Sequence, residues 1–219
     1  MNRIILRSKT NTTFQDQEKI MDQQQSMETY LVRQKKEWGE ILTSFETKNR
    51  YVVTNEQGEE LMFAAEVGGG FFMRQFLKSL RPFTIQILDT EGTNLLTIKR
   101  PFKFFLSKAD IFDANNTLLG TIQRRWSWTR RIYSVLDPAG VEKYKLFGPM
   151  LHPWTFNILR DGVEIGKITK KWSGLGKEIF TKADNFGITY ESGLDPADKD
   201  VLLGAVFLID FAHFEQKNN

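Results

Sequence analysis

Cysteine is absent from this chain of 219 residues. That excludes a disulfide framework, a thiol nucleophile, a Cys-ligated zinc and a palmitoyl anchor. Histidine is nearly absent too: His152 precedes Pro153 in a loop-like stretch, and His213 sits on the last apolar segment, where an i,i+3 contact with Asp210 reads as structural rather than as a catalytic pair. Phosphate-binding and nucleophile-elbow signatures are missing as well. No catalytic residue is assigned, and a non-enzymatic role is expected. The N-terminus has too short an apolar core for a secretory signal, so the chain reads as cytoplasmic, with any membrane contact peripheral.

The chain also lacks a hydrophobic run long enough to cross a bilayer. The longest candidate, Val201–Phe214 (VLLGAVFLIDFAHF), is interrupted by Asp210 and His213. A span takes ~20 residues, whereas this stretch reaches ~21 Å as a helix. A carboxylate facing lipid at Asp210 would cost ~2.5–3.5 kcal/mol. A helix apolar on all sides needs protein on all sides. The expectation is therefore a buried helix over about 199–215, placing Leu202, Leu203, Val206, Phe207, Ile209, Asp210 and Phe214 in a core that earlier segments must build around it.

Those segments are strand-like. Residues 1–25 are polar and Gln-rich and read as a flexible tail, and 26–219 as one domain. Short runs rich in Val, Ile, Thr and aromatics end in turn signals: Asn55–Gly58 (NEQG), Asp89–Gly92 (DTEG), Asp137–Gly140 (DPAG) and the pair Asp161-Gly162. This is the pattern of consecutive hairpins. Phe83–Gly92 is echoed at Arg131–Gly140, and Leu118–Ser127 at Glu164–Ser173, at nearly equal offsets. A repeated meander is a natural route to a closed barrel, which abolishes sheet edges and can enclose an apolar helix. Gly68–Leu77 breaks the pattern and reads as a loop with a short apolar insertion, whose Phe residues either pack on the barrel wall or dip into a membrane.

Charge is mildly basic, +3 net. That fits an anionic membrane surface but is too small to imply nucleic acid. It is concentrated beside tryptophan. Arg124–Arg131 (RRWSWTRR) and Lys167–Trp172 occupy equivalent repeat positions. Such clusters attract anionic lipid at ~1 kcal/mol per charge, and Trp favours the interface. Candidate lipid-binding residues are therefore Arg124, Arg125, Trp128, Arg130, Arg131, Lys170 and Lys171. Strand alternation puts Ile122, Arg124 and Trp126 on one face, and Ile168, Lys170 and Trp172 on one face. With the isoleucines inward, Trp126 and Trp172 would plug a barrel end.

Several motifs in order resemble the phospholipid scramblases: Phe45–Tyr51 (FETKNRY), Phe63–Glu66 (FAAE), Arg81–Phe83 (RPF), Gly166–Gly174 (GKITKKWSG), Phe180–Ile188 (FTKADNFGI) and Leu203–Phe211 (LGAVFLIDF). The resemblance implies a tubby-like closed β-barrel of about twelve strands around the apolar C-terminal helix, although in that family the helix has also been read as a membrane span. It further implies phospholipid binding at anionic membranes and calcium-triggered, ATP-independent scrambling between leaflets. The runner-up is a soluble tubby-like barrel acting as a lipid-headgroup or protein interaction module. The family's calcium segment falls on Lys182–Gly193. A calcium loop needs several oxygen ligands, yet Lys182 and Gly193 stand at its opening and closing positions. Asp184, Asn185, Glu191 and Asp195 remain as a degraded metal set.

Overall fold

The computed structural model describes residues 27–34, 50–67, 82–102, 107–170 and 185–213. The tail expected over 1–25, the Gly68–Leu77 insertion, Lys171, Trp172, Asp184 and Phe214 lie outside them. The strands are β1 (Met27–Gln34), β2 (Arg50–Thr54), β3 (Glu60–Val67), β4 (Phe83–Leu88), β5 (Asn94–Arg100) and β6 (Lys108–Asp113), followed by β7 (Leu118–Arg125), β8 (Arg131–Leu136), β9 (Glu142–Gly148), β10 (Thr155–Arg160), β11 (Val163–Lys170) and β12 (Asn185–Glu191). One helix, α1 (Pro196–His213), follows. Each strand pairs antiparallel with the next, and β1 closes the ring against β12. This is the tubby-like barrel that the sequence leads one to expect.

Alternation explains the wall. Ile85 and Ile87 of β4, Leu96 and Ile98 of β5, Ile111 of β6, Ile122 of β7 and Tyr133 and Val135 of β8 all point inward into a single core. A period of two puts every second residue inside, and closure leaves no unpaired edge.

The two ends of the barrel are built differently. At one end, five hairpins turn tightly. In four of them an Asx side chain accepts the amide four residues on: Asn55 from Glu59 (2.9 Å), Asp89 from Thr93 (2.8 Å), Asp113 from Thr117 (2.7 Å) and Asp137 from Val141 (2.8 Å). The Thr93 amide, followed by that of Glu91, also holds the Asp89 carboxyl below the usual carboxylate range. Each of these turns closes with a left-handed residue followed by a register shift, as at Gly92 (φ 88°) and Gly140 (φ 83°). That is the three-residue hairpin with a bulge. Asn116 (φ 61°) takes the glycine's place in the Asp113 turn, which the glycine pattern alone did not reveal. Asp161-Gly162 forms the fifth turn. The opposite end, here called the long-loop end, is where successive strands stand further apart in sequence, and its fully described connections are 126–130 and 149–154.

The helix enters at the tight-turn end and runs inside toward the long-loop end. Asp195 caps it by accepting the Ala197 amide at 2.9 Å, and Pro196 occupies the first turn, where a missing N–H costs nothing. The helix thus begins three residues before the expected start. Leu202, Leu203, Val206, Phe207 and Ile209 are fully enclosed. The helix axis lies close to one wall. A Cβ on Gly204 would meet Ile111 Cγ1 at 2.8 Å, and one on Gly120 of β7 would meet Val201 Cγ2 at 3.1 Å. Small residues are what permit that approach. Phe207 packs edge-on against Tyr51, with ring centroids 5.3 Å apart. Burying such side chains contributes ~1.5–3 kcal/mol each.

Both helix ends are tied to the wall. At the tight-turn end Lys143 Nζ and Tyr144 Oη donate to Asp198 at 2.6 and 2.8 Å, and Lys199 Nζ donates to Glu28 at 2.7 Å. Burial, reinforced by the bond to Asp198, raises the Tyr144 phenol to about 12. At the long-loop end Tyr51 Oη donates to Asp210 Oδ2 at 3.0 Å, and Lys170 Nζ lies 3.7 Å from Oδ1. Asp210 interrupts the apolar run because it is the helix's polar anchor inside the barrel.

Candidate functional site

The long-loop end carries the features that the fold does not consume. The β7–β8 connection, Trp126–Arg130, is a short turn in which the Arg130 amide donates to Ser127 Oγ at 3.2 Å. Trp128 is 86% exposed and Trp126 66%. Their rings meet edge to face, with centroids 5.2 Å apart. The expectation that Trp126 plugs the barrel is therefore overturned. β7 ends at Arg125, and without strand pairing the alternation no longer directs the next side chain inward. Trp172, its counterpart, lies outside the described residues.

The basic candidates separate into two groups. Arg125 is exposed, and the Arg130 guanidinium lies over the Phe147 ring at 5.1 Å, at the barrel's rim. Arg124 shares the inward face with Ile122 and is half-buried at the mouth. Those three remain at or near the surface.

Arg131 and Lys170 are engaged by the protein itself. Arg131 opens β8, opposite Gly148. Its guanidinium donates to the carbonyls of Pro149 (3.4 Å), His152 (3.3 Å) and Pro153, and covers the Phe156 ring at 4.6 Å. Desolvation pulls its pKa below the ordinary arginine value. Lys170 is 6% exposed. Its ammonium faces Asp210 and lies 5.2 Å from the Phe186 ring centroid. Lys171 lies outside the described residues.

Tyr133, opposite Arg124 in register, is enclosed beneath this mouth. Burial raises its phenol to about 12, against the opposing pull of Arg124, Arg100 and Arg131. Three arginines at the long-loop end thus act electrostatically on one buried tyrosine.

The degraded metal set is not brought together. Asn185 begins β12 and Glu191 ends it, so the strand separates them by ~20 Å. Glu191 accepts from Arg160 at 2.8 Å, while Asp195 caps the helix. Asp184 lies outside the described residues. Among the described residues no three His, Cys, Asp or Glu side chains gather in a way that could hold a metal ion. No described helix is long and apolar enough to cross a membrane.

Sequence reasoning missed one part of this end. Met150 is 68% exposed and Leu151 89%. They form the tip of the β9–β10 connection, and Arg131 holds that connection. The available signal was the run Gly148–Trp154 (GPMLHPW), where two large apolar residues sit between prolines after strand periodicity has stopped.

A family model described as Scramblase matches residues 7–216. The chain is 34% identical over 203 residues to phospholipid scramblase 1 of Mus musculus, covering 86% of this chain and 62% of that protein. It is 34% identical over 199 residues to phospholipid scramblase 2 of Bos taurus, covering 84% and 68%. Human phospholipid scramblase family member 5 is 29% identical over 203 residues, covering 86% and 74%. The X-ray structure of an Arabidopsis thaliana protein superimposes with a TM-score of 0.51 at 15% identity, covering 84% of this chain and 91% of that one, which speaks for the fold alone.

Proposed function

The chain belongs to the phospholipid scramblase family, and from that premise we propose that it binds anionic phospholipid membranes peripherally through the long-loop end of its barrel and supports ATP-independent movement of phospholipid between leaflets. The observation that carries the binding half is the exposed pair Trp126 and Trp128 beside Arg124, Arg125 and Arg130. Tryptophan partitions into the headgroup region. Each nearby arginine adds ~1 kcal/mol on an anionic surface, so three of them give a salt-sensitive attachment. No covalent chemistry is involved.

The scrambling half is tested in vesicles carrying a headgroup-labelled fluorescent lipid and an impermeant reductant. Loss of signal beyond the outer-leaflet half on adding the chain supports scrambling, and loss stopping at that half counts against it. The assay is run with calcium and with a chelator, since Glu191 and Asp195 are committed to Arg160 and to the helix cap.

One observation favours a second reading, a barrel that docks on lipid headgroups without moving them. The helix is enclosed by the wall and tied at both ends, at Asp198 and Lys199 and at Asp210. A chain that floats with anionic vesicles yet leaves the inner leaflet untouched would be such a module.

A further inference from the structure

Arg131 joins two loops that the sequence places far apart. It begins the strand that leaves the Trp126–Arg130 turn, and its guanidinium donates to three carbonyls of the Pro149–Pro153 segment. That segment is itself folded by two further bonds, from the His152 amide to the Pro149 carbonyl (3.3 Å) and from the Thr155 amide to the His152 carbonyl (3.1 Å). Gly148, opposite Arg131, leaves room for this arrangement: a Cβ there would come within 3.1 Å of Arg131 Cβ and 3.2 Å of its Cζ. A planar fork with several fixed donors suits this task, which a lysine cannot reproduce.

The two loops so joined present four large apolar side chains at one end of the barrel. Trp126 and Trp128 stand on one, Met150 and Leu151 on the other, and all four are more than half exposed. Exposed apolar residues at the tight-turn end, such as Val141 and Val163, occur one to a hairpin, and scattered single exposures need no explanation. Adjacent clustering across two fastened loops is a different situation.

We propose that Trp126, Trp128, Met150 and Leu151 form a single wedge that inserts into the headgroup and upper acyl region of an anionic phospholipid bilayer, with Arg131 as the positioning residue that makes the two loops enter together. The proposal rests on the membrane reading above and deepens it: cations hold the surface, and aliphatic tips penetrate it. Charge complementarity selects the occupant. Arg125, at the end of β7, and Arg130, at the end of the turn, bracket the two tryptophans in sequence, and both are exposed. Interfacial elements of this composition bury their apolar face ~5–10 Å into that boundary. Tips as exposed as Leu151 and Trp128, with arginines beside the tryptophans, suit an anionic lipid surface better than a rigid protein pocket.

The natural absence of cysteine provides the test. Leu151→Cys in the full chain, labelled with an environment-sensitive fluorophore, is mixed with phosphatidylcholine vesicles, with and without phosphatidylserine. The expected result is a blue shift on anionic vesicles, with quenching by lipids brominated on the acyl chain. Met150→Ser combined with Leu151→Ser should weaken vesicle flotation about tenfold, the effect of losing ~1.4 kcal/mol of transfer energy. It should also make the remaining attachment fully removable by salt. Arg131→Lys should produce a similar loss at unchanged net charge, while Arg160→Lys, at the tight-turn end, should not.

If the wild-type chain floats on anionic vesicles but the probe stays in water and the double variant floats equally well, the wedge is overturned and the electrostatic membrane reading stands. If the wild-type chain floats with no vesicle, both fail. A blue shift without vesicles that grows with chain concentration would assign the tips to self-association and overturn the proposal.

Discussion

The two ends of the barrel solve opposite problems with the same strands. The tight-turn end is economical: Asx side chains close the hairpins, and the helix enters under a cap with its first turn tied to β1 and β9. Nearly every polar group named there has an internal partner. The long-loop end places tryptophan, methionine and leucine in solvent, with arginines beside them. The buried group of Asp210 with Tyr51 and Lys170 faces inward to the helix. The internal ties gather at one end, while the other keeps the exposed residues on which the proposed lipid binding rests, and the helix belongs to neither surface.

The comparison breaks most severely if the helix is compromised. Phe207→Ala should cost ~3–5 kcal/mol, because it empties a fully enclosed site against Tyr51. Urea unfolding should show one cooperative transition shifted as a whole. Two separated transitions would mean that the ends are not one unit. Asp210→Leu should cost ~1–3 kcal/mol despite adding apolar surface, since it takes the carboxylate from Lys170 and Tyr51. A stabilised variant would show that the anchor is dispensable.

Asp200, on the first helical turns, sharpens the picture by pH. Burial raises its carboxyl to about 6. A raised acid binds its proton more tightly folded than unfolded, so its contribution is complete at low pH and is lost as pH rises through about 6. Asp200→Asn should therefore stabilise the chain at pH 7.5 by roughly 1–2 kcal/mol and leave it unchanged near pH 4, as read from thermal midpoints. Smaller still, Asp113→Ala at the tight-turn end should cost ~1 kcal/mol through the lost Thr117 amide bond, without affecting vesicle binding. The mirror case is Arg125→Ala with Trp128→Ala at the long-loop end. Its stability should move by less than ~0.5 kcal/mol, while flotation on anionic vesicles falls.

Much of the tight-turn end was legible because its chemistry is local. An Asx residue followed by glycine names the turn, and only Asn116, doing a glycine's work, escaped. The helix was legible through its length and through Asp210, whose partners on β2 and β11 no sequence window could supply. The long-loop end was half legible. Alternation placed Arg124 and Lys170 on the inward face, yet Lys170 was still counted as a surface cation because Asp210 is forty residues away in sequence. Trp126 failed for a related reason, since alternation has no force past the end of a strand. Arg131 reads as one more charge in a basic run until the carbonyls of Pro149–Pro153 stand beside it.

Under the proposed function the helix stays enclosed while the long-loop end meets lipid. The most direct test of this is Val206→Cys, a unique thiol at a position that the barrel buries. The thiol is challenged with a water-soluble maleimide in solution, on anionic vesicles and in denaturant. The account predicts rapid labelling only in denaturant, with protection on vesicles equal to that in solution. Labelling on vesicles at the denatured rate, or transfer of the site to a lipid-soluble reagent alone, would mean that the helix leaves the barrel at the membrane and would contradict it.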